Sequence, residues 1–453
     1  MPLDLVLDGG KQRTHLSTFV EKTLRDRASQ DTIQLVHLRS GDYRLLNSIL
    51  RTLTADPEEV RCSRMESFIL QNQGGRTVNV SEYFVHTRFP KLRHLDLTKC
   101  FVSSLGTLQS QTKLLTTLVL DIKLCLRKTT TPELLSLLAS NPSIQKLALT
   151  GCLIPDYWSE DQDQSRVSLP ELKELKLAGE SNDVSKFLKN LVFPDVLDHL
   201  DISLYHYRMM DIEDVIGPYL RDFFRRRGRS QSGLGICASL ESNILFHVGD
   251  GGTLHSPSLV TKRVVPFLTL TLPSPMAILD HNILYDLKNE RLRGLITCTP
   301  QERIVYLKIR YNPTRTNTNS TAMGNIYALL PNLKVLHSEW IPLSLLFPNP
   351  NARRIDLSHI FQKAGAERKD LSPPQSLRHL IIETTCDDWT PLTSFLSLSR
   401  TPPAKRLDFL HITSPAPMHP EVEEDLRNSV QEFGLTRLPQ SPVATIAGAQ
   451  TSI

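Results

Sequence analysis

The chain has 453 residues, with 52 Lys and Arg against 48 Asp and Glu, for a formal net charge of +4. So small a charge over this length excludes an electrostatic nucleic-acid binder, and an apolar content of 40% is too high for a wholly disordered chain. Aromatics are only 6% of the residues while leucine alone accounts for 73 of them, which points to one repetitive apolar architecture even though the length would allow about three domains.

Residues 1–32 open with an alternation of Leu3, Leu5 and Leu7 against Asp4 and Asp8, expected to be a first strand followed by a helix that caps the N-terminus. No basic region precedes it, so it does not read as a signal peptide. From Ile33 onward an apolar-x-x-apolar-x-apolar pattern recurs. It is carried by Ile33, Val36 and Leu38; Met65, Phe68 and Leu70; Leu92, Leu95 and Leu97; Leu115, Leu118 and Leu120; Ile144, Leu147 and Leu149; Leu172, Leu175 and Leu177; and Leu197, Leu200 and Ile202. It resumes with Val265, Leu268 and Leu270; Ile304, Leu307 and Ile309; Ala352, Ile355 and Leu357; Leu377, Leu380 and Ile382; and Leu407, Leu410 and Ile412. A unit at Leu333 and Leu336 breaks at Ser338, and one near Leu240 is weak. Fourteen anchors between Ile33 and Leu407 give a mean spacing of about 29 residues, at the long end for leucine-rich repeats.

Alternate side chains of a strand face opposite sides, so Leu95 and Leu97 point inward while His94, Asp96 and Thr98 point outward. One strand cannot bury its apolar face alone; stacked copies share a continuous core if a helix covers the other side of each repeat. Helix punctuation supplies that element. Thr131 as cap and Pro132 at the first helical position open a helix with a Leu134, Leu135 and Leu138 stripe, and Asn141-Pro142 closes it. Thr390 and Pro391 repeat the device up to Pro403, and a longer helix runs from Asp211 to Gly228, weakened at Gly217-Pro218. The fold expected is therefore α/β, an irregular leucine-rich-repeat-like solenoid with parallel strands on the concave side and short helices on the convex side. The solenoid is placed at residues 33–413, with an irregular Ser- and Gly-rich excursion near 229–262 and a polar loop from Arg310 to Asn325. A charged terminal helix at 414–438, centred on Pro420 to Gly434, and a disordered tail at 439–453 complete the chain.

Motifs that carry chemistry are few. Gly9-Gly10-Lys11 lacks the upstream Gly and the following Ser or Thr of a phosphate loop, and Gly249-Asp250-Gly251-Gly252 reads as a flexible loop. The 14 His show no HExxH or HxH spacing, and the run from Gly228 to Gly233 does not have the spacing of a nucleophile elbow. The carboxylate pairs Asp387-Asp388 and Glu423-Glu424 fall on caps or a charged helix face. The expectation is a non-enzymatic protein with no cofactor and no metal. Seven dispersed Cys (Cys62, Cys100, Cys125, Cys152, Cys237, Cys298 and Cys386) form no CxxC and argue against a disulfide framework. No stretch reaches the roughly 18 apolar residues of a membrane helix; Val264 to Leu279 comes nearest and is broken by Pro266, Pro273 and Pro275. The compartment expected is cytoplasmic or nuclear, where the sequons at Asn79 and Asn319 are silent. Arg225, Arg226, Arg227 and Arg229, leading to Ser230, form the one basic run: a solvated helix C-terminus, a localisation signal or a kinase site.

Cys100 and Cys152, each just past a repeat strand, make the pattern resemble the cysteine-containing leucine-rich-repeat subtype common in F-box substrate receptors. The opening Pro2 to Asp8 and the phrases Phe89 to Leu97 and Leu330 to Trp340 resemble the repeat region of the large fungal F-box-like families, over roughly residues 1–415 at the level of pattern. The resemblance implies the substrate-recognition region of a ubiquitin-ligase receptor. In that family an F-box of roughly 40–50 residues precedes the repeats and binds a Skp-type adaptor and cullin. No such segment stands ahead of the first repeat here; Pro420-Glu421-Val422 echoes its opening but lies after the repeats. Adaptor and cullin are therefore expected partners only if an F-box lies upstream. The alternative is a stand-alone leucine-rich-repeat scaffold or inhibitor. In either case a protein partner is expected on the concave face, at His94, Asp96, Lys176, Asp201, Tyr306, Lys308, Arg310, Trp340 and His379, with neither nucleic acid nor membrane involved. His199 and Phe409 share outward positions of that face.

Overall fold

The structure, a computed structural model, describes residues 3–9, 33–54, 60–61, 63–102, 105–121, 131–152, 166–192, 194, 197–205, 212–227, 233–240, 243–250, 266–273, 291–310, 326–327, 329–347, 376–385, 388–399, 407–415 and 417–438. Several expectations lie outside these residues: the first helix within 10–32, the Ala352 repeat, the polar loop after Arg310, the C-terminal tail, and Cys62, Cys125 and Cys386. The chain divides into two compact units, Met1–Ser230 with Phe267–Pro273, and Gln231–Pro266 with Ser274–Ile453. No described helix is long and apolar enough to cross a membrane.

Among the described residues, the main sheet of the first unit has nine strands, each parallel to the next. In spatial order they are Leu3–Gly9, Ile33–Ser40, Ser67–Asn72, His94–Thr98, Thr117–Asp121, Lys146–Thr150, Glu174–Gly179, His199–Leu204 and Pro266–Pro273. The strand register reproduces the sequence pattern. Leu5, Val36, Phe68, Leu95, Leu118, Leu147, Leu175, Leu200 and Leu268 align in one column. Leu7, Leu38, Leu70, Leu97, Leu120, Leu149, Leu177, Ile202 and Leu270 align in a second. From Val36 to Leu270 these side chains are buried, and the leading anchors Ile33, Met65, Leu92, Leu115, Ile144, Leu172 and Leu197 are buried with them. Each contributes roughly 1.5–3 kcal/mol of apolar burial, so the register is strongly fixed: a one-residue slip would turn both columns to the opposite face.

Parallel strands need crossover connections, and among the described residues short helices lie in several of them. Thr131–Ala139 forms as its punctuation predicts and buries Leu137 as well as Leu134, Leu135 and Leu138. Asn141 does more than stop this helix. Fully buried, its amide Nδ2 donates to the Leu137 carbonyl (2.9 Å) and its Oδ1 accepts from the Leu115 backbone N–H (3.2 Å), tying one repeat to the previous one. Phe68, Tyr83, Phe84 and Phe89 pack ring against ring at 5.2–6.4 Å where Ser81–His86 meets the sheet. Strand exits are alike: Lys99 (φ 55°) and Gly151 (φ 65°) turn left-handed, and their N–H groups bond Asp121 O and Ala178 O on the next strand. The buried Cys that follows each turn donates its thiol to the preceding strand, Cys100 to Leu70 O (3.6 Å) and Cys152 to Leu120 O (3.0 Å).

Three expectations are corrected. The long helix from Asp211 is two helices, Ile212–Val215 and Gly217–Arg227, because Pro218 cannot donate into a continuous helix and instead sits in the first turn of the second. Within 229–262, Leu234–Leu240 and Asn243–Asp250 are not an excursion but an antiparallel hairpin in the second unit's sheet, with Ile236 opposite Val248 and Ala238 opposite Phe246. The repeat near Leu240 thus has its anchors at Ile236 and Ala238, and Gly249-Asp250 ends a strand. The terminal helix stops at Ser429; Glu432–Arg437 is a strand parallel to Phe409–Ser414, since Phe433 and Leu435 continue the alternation of a last sheet position.

The second unit orders its strands as Asn243–Asp250, Leu234–Leu240, Ile304–Arg310, Val335–Glu339, His379–Glu383, Phe409–Ser414 and Glu432–Arg437. All neighbours except the hairpin pair are parallel. One column runs Ile236, Leu307, Leu336, Leu380, Leu410, Phe433; the other runs Ala238, Ile309, Ser338, Ile382, Ile412, Leu435. Ser338 therefore occupies a core position, fully buried, and its hydroxyl meets no hydrogen-bond partner.

Candidate functional site

The side chains between the core columns form the outward face of each sheet. In the first unit this face is a mosaic of neutralised charges. Lys176 stands directly across from Asp201 and pairs with it at 3.3 Å; one position earlier Lys146 pairs with Glu174 at 2.6 Å. Asp96 is nearly buried and accepts from Gln71 Nε2 and Thr98 Oγ1, both at 2.9 Å. Burial pushes the His94 imidazole below its ordinary pKa, with Asp96 opposing and Lys146 and His37 reinforcing the shift. His199 takes the position beside Glu174. The face thus brings together His94 and Asp96, and separately Lys176 and Asp201.

The second unit concentrates polar groups more tightly. Tyr306, Lys308 and Arg310 alternate outward along Ile304–Arg310, His337 and Glu339 along Val335–Glu339, His379 and Glu383 along His379–Glu383, and Phe409 and His411 along Phe409–Ser414. His337 is 1% exposed. Its Nδ1 lies 3.4 Å from Tyr306 Oη, and its Nε2 lies 3.3 Å from Glu383 Oε1 and 3.6 Å from Glu339 Oε1. Lys308 Nζ closes on Glu339 Oε1, and Arg310 Nε stands 3.9 Å from Glu339 Oε2. The hydrogen bond from His337 holds the Glu383 carboxyl below its ordinary pKa, while burial pushes the Tyr306 phenol up. Beside this cluster the Phe409 ring packs edge-on against His379 (6.0 Å) and parallel to His411 (6.1 Å). The His411 ring lies over Gly434, where a Cβ would sit 2.5 Å from Nδ1.

Two expected contact residues are placed differently. Tyr306 is 2% exposed, so its phenol serves His337 rather than a partner. Trp340 is not on a strand: it occupies the left-handed turn position (φ 64°), with its N–H on Glu383 O at 2.6 Å, the same place Lys99 and Gly151 hold in the first unit. His337, Glu339, Glu383 and His411 were not singled out from sequence. The signal existed in the alternation Leu336-His337-Ser338-Glu339, but Ser338 at the core position hid the phase of that strand. The basic run is engaged within its own unit. Arg225 and Arg226 pair with Asp222, and Arg227 lies 4.1 Å over the Phe267 ring and donates to Leu197 O at 2.8 Å. Arg229 lies outside the described residues.

These groups do not converge on nucleophilic chemistry. Burial raises the Cys237 thiol to about 11, the reverse of an activated nucleophile, and Ser338 is turned into the core. Each face, taken by itself, is an ion-paired surface carried on strands. No protein-family model matches the chain, and no curated protein matches it.

Proposed function

We propose that the chain is a non-enzymatic protein-interaction module: an irregular leucine-rich-repeat-like solenoid whose strand faces bind a protein partner as the substrate-recognition region of an F-box-type ubiquitin-ligase receptor. The observation that carries the binding part is the register. In the first unit continuous apolar columns fix strand after strand, so the outward residues between them stand in rows at constant spacing, a surface suited to a macromolecule rather than to a small substrate. His94, Lys176 and Asp201 would contact the partner in one unit, with the buried Asp96 bracing that face through Gln71 and Thr98; Lys308, Arg310 and His379 would make contact in the other. The ligase part rests on the cysteine that follows two of the strands and on the family-like phrases at Phe89 to Leu97 and Leu330 to Trp340. A reduced cytoplasmic or nuclear setting goes with that role, and it suits the described cysteines, which are all free thiols.

Charge reversal tests the binding part. Lys176→Glu with Lys308→Glu should weaken a partner found with the wild-type chain by about 1–2 kcal/mol per desolvated pair while leaving the fold intact by circular dichroism. Unchanged partner binding in the double variant would remove the strand faces from the proposal. A free-standing scaffold or inhibitor is the competing reading, and the ligase part yields to it if neither a Skp-type adaptor nor a cullin accompanies the chain.

A further inference from the structure

We propose that His337, Glu339 and Glu383 form a zinc-binding site on the outward sheet face of the second unit. This does not depend on the partner-binding reading. His337 and Glu339 are two residues apart on one strand and so project to the same side, and Glu383 is the register partner of Glu339 on the next strand. Backbone geometry therefore brings the three donors together, with their ligand atoms all within 4.8 Å of one another. Two of the three separations, 3.3 Å and 3.6 Å from His337 Nε2, are already close to the roughly 3.4 Å between tetrahedral ligands that sit about 2.1 Å from zinc. Both strands are core strands, so the donors are held before a cation arrives.

The imidazole aims one nitrogen at both carboxylates. Nε2 faces two carboxylates in a site where the His337 side chain is 2% exposed. The proton through which Nε2 donates to Glu383 sits where a metal ion would sit, and zinc binding would release it. The Tyr306 hydroxyl at Nδ1 fixes the ring and can accept its N–H, which is how a neutral imidazole is oriented for metal by a partner on its other nitrogen. One nitrogen and two carboxylate donors suit zinc; calcium and magnesium prefer all-oxygen sets. Three protein donors leave a fourth position open for water or a partner's side chain.

Lys308 and Arg310 are the competitors. The Lys308 ammonium occupies Glu339 Oε1 and would be displaced by zinc, while the half-exposed Arg310 remains near Oε2. That fixes the order of the variants. The full chain, stripped with chelator, is titrated with zinc chloride by calorimetry, and with cobalt chloride for the visible bands of a tetrahedral ion. The wild type should bind one zinc per chain, Glu383→Gln and His337→Ala should each weaken it about a hundredfold, and Lys308→Met should tighten it about tenfold. Circular dichroism confirms that each variant is folded, and if His337→Ala is not, the Glu383 and Lys308 variants decide. The proposal is overturned if the wild type takes up no zinc, or if Glu383→Gln and Lys308→Met bind it as the wild type does.

Discussion

Ser338 offers the sharpest test of the register. It occupies the core column between Ile309 and Ile382, is fully buried, and its hydroxyl has no partner. An orphaned buried hydroxyl costs about 1–3 kcal/mol, whereas alanine keeps nearly the same volume and removes the polar atom. Ser338→Ala should therefore stabilise the second unit by about 1–2 kcal/mol, which for a domain of this size moves the thermal midpoint by roughly 2–4 °C per kcal/mol. Urea unfolding followed by tryptophan fluorescence reads the right region, since Trp340 and Trp389 belong to that unit and Trp340 is two residues away. Leu336→Ala on the same strand is the control; its buried side chain lies between Leu307 and Leu380, and its loss should cost about 2–5 kcal/mol. If Ser338→Ala unfolds at lower urea than the wild type with an unchanged slope, the hydroxyl has a stabilising partner and the column assignment fails.

Other outcomes follow from individual contacts. Asn141→Ala should lower stability by about 2–3 kcal/mol, because it strands the Leu137 carbonyl and the Leu115 N–H in the interior; thermal denaturation reads it. Gly434→Ala should destabilise the last strand through its clash with His411, and the double variant with His411→Ala should recover most of the loss in a double-mutant cycle. Cys237, raised from 9.0 to about 11, should react with iodoacetamide at pH 8 about a hundredfold more slowly than an unperturbed thiol; an ordinary rate would mean that the thiol is not buried as described. The His94 pKa is depressed in the fold, so the unfolded chain takes up the proton first and stability is lost as pH falls through 6.5. Thermal midpoints between pH 5 and 7.5 should show that loss, and His94→Gln should flatten it.

Period-two alternation made the inward residues legible: Leu95, Leu97 and their counterparts read directly onto the two columns because leucine at those positions has no other use. Legibility failed where a strand lacked the leucine signature. Ser338 concealed His337 and Glu339, and the glycine in Glu432–Arg437 made a strand read as the end of a helix, although Gly434 is there to admit the His411 ring. The hairpin Leu234–Leu240 with Asn243–Asp250 was obscured because Ala238 stands where the second column usually carries a larger aliphatic residue, leaving only Ile236 as a strong anchor. Clusters assembled across strands leave no linear motif at all. His337 and Glu383 are 46 residues apart in sequence yet 3.3 Å apart in space, so no spacing rule for metal ligands could have found them.

The most direct test of the receptor reading is to tag the chain at its own genomic locus, purify it under native conditions, and quantify co-purified proteins by mass spectrometry against a Lys176→Glu, Lys308→Glu control. The account predicts a Skp-type adaptor and a cullin in near-stoichiometric amount with both chains, together with at least one further protein retained only by the wild type. Adaptor and cullin absent from both would contradict the ligase role and leave a stand-alone binding protein, and an identical set of partners with both chains would contradict the strand faces as the binding surface.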